Sequence, residues 1–271
     1  GAGCSYANVS NNKAQSNGGT GISGSGTYVN ITYNNVTGNG AGISLQNADY
    51  FNVVRNNASF NSNAGIGAGG TSRSNFTDNT ATSNANAGFL LIDVSRSRFI
   101  NNVANSNIAG TYITGDGFYI GEGTSYSCLL NNFTNNIANS NARFGFYSYY
   151  CTQSNFTDNT ANLNNNGFSM YRSSYYIVYN NTANQNNERG FYLIEQSNYN
   201  TLTKNTARTN GNYGFHILQS YHNAFMNNVA CLNPNWAGTD IRCWDTGSLD
   251  DDGGNICDVN VGCNVVCNSG C

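Results

Sequence analysis

The sequence predicts an all-β fold: a single-stranded parallel β-helix, a solenoid of about ten coils, closed by a disulfide-rich C-terminal segment. Three observations point there. Two markers recur in step along the chain, the residues beside them alternate with a period of two, and the polar residues filling each repeat are of the kind that stack on their own copies.

The first marker is a Gly followed by Ile or Phe, at Gly21, Gly42, Gly65, Gly88, Gly117, Gly145, Gly167, Gly190 and Gly214, in steps of 21, 23, 23, 29, 28, 22, 23 and 24 residues. The second is an Asn, usually followed by Thr-Ala, Val-Ala or Ile-Ala, at Asn12, Asn35, Asn57, Asn79, Asn102, Asn136, Asn159, Asn181, Asn205 and Asn228. From each Gly to the next such Asn the interval is 14 or 15 residues, except after Gly117, where it is 19. Two independent markers holding phase over this length define a repeat.

Each marker sits beside apolar residues. Three places before the Asn stand Val9, Thr32, Val54, Phe76, Phe99, Phe133, Phe156, Val178, Leu202 and Phe225. One place after the Gly stand Ile22, Ile43, Ile66, Phe89, Phe118, Phe146, Phe168, Phe191 and Phe215, and two further on the pattern continues with residues such as Leu91, Ile120 and Met170. A period of two is a strand pattern. With at least two short strands per repeat and no helical stretch between them, a unit of about 22 residues closes best as one coil lying on its predecessor. Equivalent residues then stack at roughly 4.8 Å. This explains why "SNFTDNTATSNANAGF" at 74–89 returns as "SNFTDNTANLNNNGF" at 154–168. An Asn repeated at one place in every coil bonds to the amides above and below and tolerates burial.

Composition narrows the function. Asn makes up about a fifth of the chain, only 9% of residues are charged and the net charge is -3, so neither nucleic acid nor an anionic membrane is an expected partner. Disorder is the other reading of such a polar chain, and 18 Tyr and 14 Phe at periodic places argue against it. No run of eighteen apolar residues exists to span a membrane. Nine cysteines without paired zinc-type knuckles suggest an oxidising compartment. The chain starts at Gly1 without Met or an apolar leader, as expected after removal of a signal peptide. Asn-x-Ser/Thr triplets headed by Asn8, Asn30, Asn35, Asn57, Asn75, Asn132, Asn155 and Asn180 are glycosylation candidates. An extracellular or cell-surface glycoprotein is the expectation.

Over roughly residues 5–230 the "NNxAxxN…GF" pattern resembles the right-handed parallel β-helix repeats of NosD-type periplasmic proteins and archaeal cell-surface proteins, related in fold to pectate lyases. The resemblance implies the right-handed fold. It does not imply one function, because that fold carries lyases, hydrolases, adhesins and inert surface proteins. Copper handling, linked to NosD-type proteins, calls for His, Met or Cys clusters, and the chain has only His216, His222, Met170 and Met226 in no repeating pattern. The copper role is not expected to carry over. Polysaccharide-cleaving members of the fold use acidic clusters on one exposed sheet. The candidates here are Asp93 and Glu122, in the same place of successive coils near Arg96 and Arg98, while Arg172 and Glu195 on that ladder read as an ordinary charge pair. Asp78 and Asp158 stand on matching rungs that are not adjacent.

The chain divides into a β-helix, 1–230, and a cysteine-rich cap or assembly segment, 231–271. In the helix, about six extra residues between Asn102 and Gly117 and about five after it mark an irregular coil whose loops are solvent drift or a binding feature. Cys128 and Cys151 each precede an inward Phe by five residues, one coil apart, so their Cα atoms fall within disulfide range. Cys231, Cys243, Cys257, Cys263, Cys267 and Cys271 staple the tail, where a β-helix must cover its open edge. Cys4 is left over: it forms an intermolecular bond, joins the tail pairing, or stays free. Asp250, Asp251, Asp252 and Asp258 are a solvated acidic turn or a calcium loop, the one cofactor considered. Two places after the Gly marker an outward stripe carries Tyr119, Tyr147 and Tyr192, flanked by Tyr149 and Tyr171, more aromatic surface than a monomer usually shows.

These features favour a secreted, non-catalytic structural solenoid that assembles with copies of itself into a layer, sheath or filament. The alternative is a carbohydrate-binding or polysaccharide-cleaving β-helix protein that uses the Tyr stripe and the irregular coil.

Overall fold

A computed structural model describes residues 5–110, 115–121, 123, 128–234, 239–246 and 249–271. Two parallel sheets of eleven strands run the length of the molecule, and in both the strand order is the coil order. One is built almost wholly from three-residue strands such as Asn75–Thr77, Arg98–Ile100 and Asn132–Thr134. The other is built mostly from longer strands such as Ala87–Ile92, Asp116–Gly121 and Phe144–Tyr149. A third side is held by single bridges, Thr80 to Val103 to Ile137 to Thr160, and by short strand pairs at the two ends. The chain is an all-β solenoid, as its two markers predict.

Register puts each inward residue on its own copy. Phe76, Phe99, Phe133 and Phe156 are consecutive partners in the short-strand sheet, and Phe89, Phe118, Phe146, Phe168, Phe191 and Phe215 in the long-strand sheet. Phe76 and Phe99 stack with centroids 4.6 Å apart and planes 9° from parallel, and Phe146 stacks on Phe168 at 4.8 Å and 2°. The two columns meet edge to face, as at Phe118 and Phe133 (6.1 Å, 81°). All are buried. Coil spacing alone sets these offset-stacked contacts, so a Phe costs least where its neighbours are also Phe.

The Asn marker forms a buried ladder. Asn79 donates its backbone N–H and Nδ2–H to Asn102 Oδ1, both at 3.0 Å, and its other Nδ2–H to Val53 O at 2.8 Å. Every donor and acceptor of the amide is used, so burial carries no orphan cost. Two coils differ from the sequence reading by one residue: the ladder passes through Asn34 and Asn56, not Asn35 and Asn57, and the inward residues there are Ile31 and Val53, not Thr32 and Val54. The reason is spacing: Val36 and Ala58 are the buried residues two places on, the position Ala81 holds in the next coil. A second, parallel ladder runs through Asn39, Asn61, Asn84, Asn107 and Asn141 to Asn233, five residues after the first in each coil.

The Gly marker has its cause in the same ladders. A Cβ on Gly145 would lie 2.6 Å from Ala161 Cβ, 2.8 Å from Gly167 O and 2.9 Å from Asn164 Nδ2. The glycine keeps phase with the Asn because it packs directly beneath the next coil's second ladder. Corners turn at residues in the left-handed region, such as Asp78 (φ 54°) and Asn101 (φ 55°) beside the first ladder. Asn and Asp tolerate that region best among side-chain-bearing residues.

Coil stacking continues past 231, where the sequence repeat fades. Ile241–Trp244 pairs with Tyr213–Leu218, Asp250–Gly253 with Ala224–Met226, and Ile256–Cys257 with Val229–Cys231. Disulfides then join this last portion internally: Cys231 to Cys271, Cys243 to Cys263 and Cys257 to Cys267. In mid-helix Cys128 and Cys151 are bonded across adjacent coils with Cα atoms 4.8 Å apart. Cys4 lies outside the described residues. Asp240 ends the second ladder, its Oδ1 accepting from Asn233 N and Nδ2 and its Oδ2 from Asp258 N. A carboxylate suits that place because it brings no donor that a further coil would have to satisfy.

Candidate functional site on the long-strand face

Outward residues of the long-strand sheet fall into rows, one residue per coil. Tyr119, Tyr147, Ser169, Tyr192 and His216 form one row, and Tyr149 pairs with Tyr171 in the next. The Tyr stripe therefore does point outward, each ring half-buried against its neighbours. Tyr119 meets Tyr147 edge-on at 5.5 Å, Tyr149 stacks on Tyr171 at 5.4 Å, and Tyr192 stacks on His216 at 5.0 Å. Burial pushes the hydroxyls of Tyr119, Tyr147 and Tyr192 above the ordinary phenol range. They are neutral donors at physiological pH.

Arginines lie over these rings. Arg143 sits 4.7 Å from the Phe144 centroid and 4.9 Å from that of Tyr147, and its fork holds Asp116 through Nε to Oδ1 (2.9 Å) and Nη2 to Oδ2 (2.6 Å). The Asp116 side chain is fully buried and also accepts from Phe144 N at 3.2 Å. Arg172 lies over Tyr150 and Tyr171, donates to Tyr150 Oη and pairs with Glu195 at 2.9 Å, while Tyr171 Oη donates to the same carboxylate at 2.6 Å. Arg189 lies 4.3 Å from the Tyr192 centroid, pairs with Glu188 and donates from Nε to His216 Nδ1 at 3.0 Å. Arg242 lies over Tyr213 and over Trp244, which is 61% exposed. Burial, then Arg189 and Arg242, lowers the His216 pKa to about 3, so the ring is neutral.

Towards the N-terminal end the same face is hollow. A cleft of ≈ 470 Å³ is lined by Ser44, Gly67 and Gly69, with Leu90, Ile92 and Asp93 along the next coil. A Cβ on Gly67 would meet nothing nearer than 3.9 Å, so it is the missing side chain that leaves the hollow open.

Of the acidic residues singled out from the sequence, Asp93 borders this cleft and is buried, its Oδ1 accepting from Gly123 N at 2.8 Å; Glu122 lies outside the described residues. Arg172 and Glu195 do form a charge pair. Asp78 contacts Arg55 and Asn101, and Asp158 contacts Asn180, on a corner away from this face. Arg96 and Arg98 are exposed and make no ion pair among the described residues. Asp116, Arg143 and Arg189 escaped the sequence reading; the available signal was a lone Asp directly before a Gly marker, where Ala87 stands one coil earlier.

Asp250, Asp251, Asp252 and Asp258 do not converge as a calcium loop. Asp251 is spent on Gly253 N, Asn255 Nδ2 and Val266 N, and Asp258 lies instead beside Asp240. Asp240, Asp258 and Cys271 are the only trio of metal-type donors among the described residues, and Cys271 is in a disulfide. His216 and His222 stack on different tyrosines, Tyr192 and Tyr199, and Met170 is in the core. Among the glycosylation candidates, Asn8, Asn30, Asn75, Asn132 and Asn155 open short strands in one outward row, Asn35 and Asn57 bridge each other on the third side, and Asn180 is an exposed corner residue.

The fold recurs in solved structures. The periplasmic alginate epimerase AlgG superposes with a TM-score of 0.68 at 12% identity, over 85% of this chain and 69% of that one. The A-module of the Azotobacter vinelandii mannuronan C-5 epimerase AlgE4 gives 0.64 at 16%, over 89% and 64%, and pectate lyase Pel9A gives 0.63 at 17%, over 98% and 71%. At such identities the likeness is one of fold. No curated protein matches the chain. The model of a right handed beta helix region matches residues 2–124. The model of the periplasmic copper-binding protein NosD matches residues 99–248, more than half of the chain. The chain belongs to the NosD family of right-handed parallel β-helix proteins.

Proposed function

We propose that this protein binds a polysaccharide outside the cytoplasm, along its long-strand face, without cleaving it. One observation carries the reading: consecutive coils each place a half-buried aromatic ring, with arginines over the rings, on one sheet of a protein with only 9% charged residues. Half-buried rings suit sugar faces, and rigidly held Arg and Tyr donors suit their hydroxyls. The structures that share the fold include enzymes named for alginate and pectate, which supports the ligand class. Non-cleavage rests on the acids described on this face: Asp116, Glu188 and Glu195 are each held by an arginine, and Asp93 at the cleft is buried and accepts from Gly123 N, so each is already engaged. Four disulfides support an oxidising compartment, and sequons on the short-strand face would carry glycans away from the platform.

Copper, named in the family's description, does not fit the donors described. His216 Nδ1 is occupied by Arg189, the tail and mid-helix thiols are in disulfides, and the one trio of His, Cys, Asp or Glu donors among the described residues is Asp240, Asp258 and the disulfide-bonded Cys271.

Affinity electrophoresis of the full chain against neutral and acidic polysaccharides tests the proposal. Tyr147→Ala and Tyr171→Ala should each weaken binding about tenfold, or about 1.4 kcal/mol. Retardation by no polysaccharide, or release of oligosaccharides, would count against it.

A second reading has its own support. Among the described residues, the first coil's strands, Asn8–Ser10, Lys13–Gln15 and Thr20–Thr27, have partners on one side only, while the other end is stapled by three disulfides. An unpaired parallel edge recruits strands, and a head-to-tail contact grows into a filament or layer. Assembly of copies through that edge, locked by Cys4, should appear in sedimentation velocity as species that shrink on reduction. A single monomer boundary, with or without reductant, would sink this reading.

A further inference from the structure

Resting on that binding reading, we infer that the group around Arg189, His216 and Arg242 is a subsite for the acidic substituent of a sugar, a carboxylate or a sulfate ester. The first support is an orphaned donor. Because Arg189 Nε donates to His216 Nδ1, the neutral ring carries its proton on Nε2, and that atom is buried with no acceptor. Two coils below in the same row, Ser169 Oγ is also buried without a partner. His216 is 7% exposed and Ser169 1% exposed, so solvent does not satisfy either atom. Buried polar groups are nearly always paired, and those left unpaired mark a function or a missing ligand.

The second support is charge. Arg189 shares its charge with Glu188, whereas Arg242 has no ion pair among the described residues and is held over Tyr213 and Trp244. The cluster thus offers guanidinium and imidazole N–H donors with one carboxylate between two arginines. A ligand with acceptors and negative charge completes it, and a neutral hydroxyl, itself half donor, completes it less well. Arg189, Tyr192 and Tyr213, which contact the His216 ring, and its register partner Arg242 are all half-exposed on the outer face, so the acidic group would approach from that face.

The test is calorimetric titration of the full chain with a neutral glucan, the same glucan oxidised to the carboxylate at C6, and the same glucan sulfated. At least about a tenfold preference for one acidic form over the neutral form is expected. In Arg242→Gln and in His216→Phe, the acidic forms should bind about as weakly as the neutral form binds to that same variant, so that most of the preference is gone whatever the change in neutral affinity. Arg208→Gln, a change at an exposed arginine on the third side, should leave the preference intact. Equal affinity for all three glucans, or a preference that survives both cluster variants or falls with Arg208→Gln, overturns the subsite and leaves the binding platform standing. Binding of none of them overturns both. Circular dichroism of each variant keeps a folding failure from passing as lost binding.

Discussion

Asn159→Ala is expected to destabilise the protein by about 2–6 kcal/mol, from two buried donors orphaned at about 1–3 kcal/mol each. In the intact molecule Asn136 gives both its backbone N–H and its Nδ2–H to Asn159 Oδ1, and Asn159 Nδ2 gives to Phe133 O and Asn181 Oδ1. Alanine leaves both Asn136 donors facing a methyl group, with no water to replace the acceptor, because all three coils are sealed there. A neighbouring control isolates the effect. Asn155→Ala, in the outward row, loses one hydrogen bond to Asn132 at the surface and should stay within about 0.5 kcal/mol. Urea denaturation of the two variants and the parent measures both. If Asn159→Ala unfolded at the parent's midpoint, the ladder would not be a structural element.

The repeat was readable because the same packing forces both of its markers. A Gly that must pass beneath a buried Asn and a buried Ala cannot drift relative to them, so its phase survives in the sequence. Doubled residues are where the reading slips. In Asn34-Asn35 and Asn56-Asn57 either Asn fits the marker, and only the inward Val36 and Ala58 decide which is buried. The second ladder was hidden for a related reason: Asn84, Asn141 and Asn164 sit among other Asn and Ser residues with no fixed apolar neighbour to flag them. The site was less legible than the fold. Asp116 and Arg143 are 27 residues apart across the irregular coil, where counting by the 21 to 24 residues of ordinary coils assigns the wrong rung. The Tyr stripe was visible because alternation fixes which side faces out; of the arginines over it, Arg143 and Arg172 lie just outside the strands, where alternation says nothing, while Arg189 and Arg242 are strand residues that reach His216 and Tyr213 on other coils.

The Asp116–Arg143 pair gives the other large effect, with a pH signature a simple packing loss would lack. Arg143→Leu is expected to cost about 3–5 kcal/mol near pH 7, since breaking a buried pair strands the remaining charge. Burial already pushes the Asp116 carboxyl up from its ordinary range, and the Arg143 fork followed by the Phe144 N–H pulls it back. Leucine removes the fork and leaves Phe144 N as the one remaining donor, among the described residues, to a fully buried carboxylate. The folded value then lies well above the unfolded value of about 3.9. A group with a raised folded value contributes its stability at low pH and loses it as pH climbs through that value. The variant should therefore gain on the parent as pH falls from 7.5 towards 4.5, by at most about 1.4 kcal/mol per pH unit for one proton. Adding Asp116→Asn to Arg143→Leu removes the titrating group, and the extra pH dependence should vanish with it. Urea midpoints at three pH values decide the matter: a deficit in Arg143→Leu that stays constant with pH would mean that lost packing over Phe144 and Tyr147, not the stranded carboxylate, is what the arginine prevents.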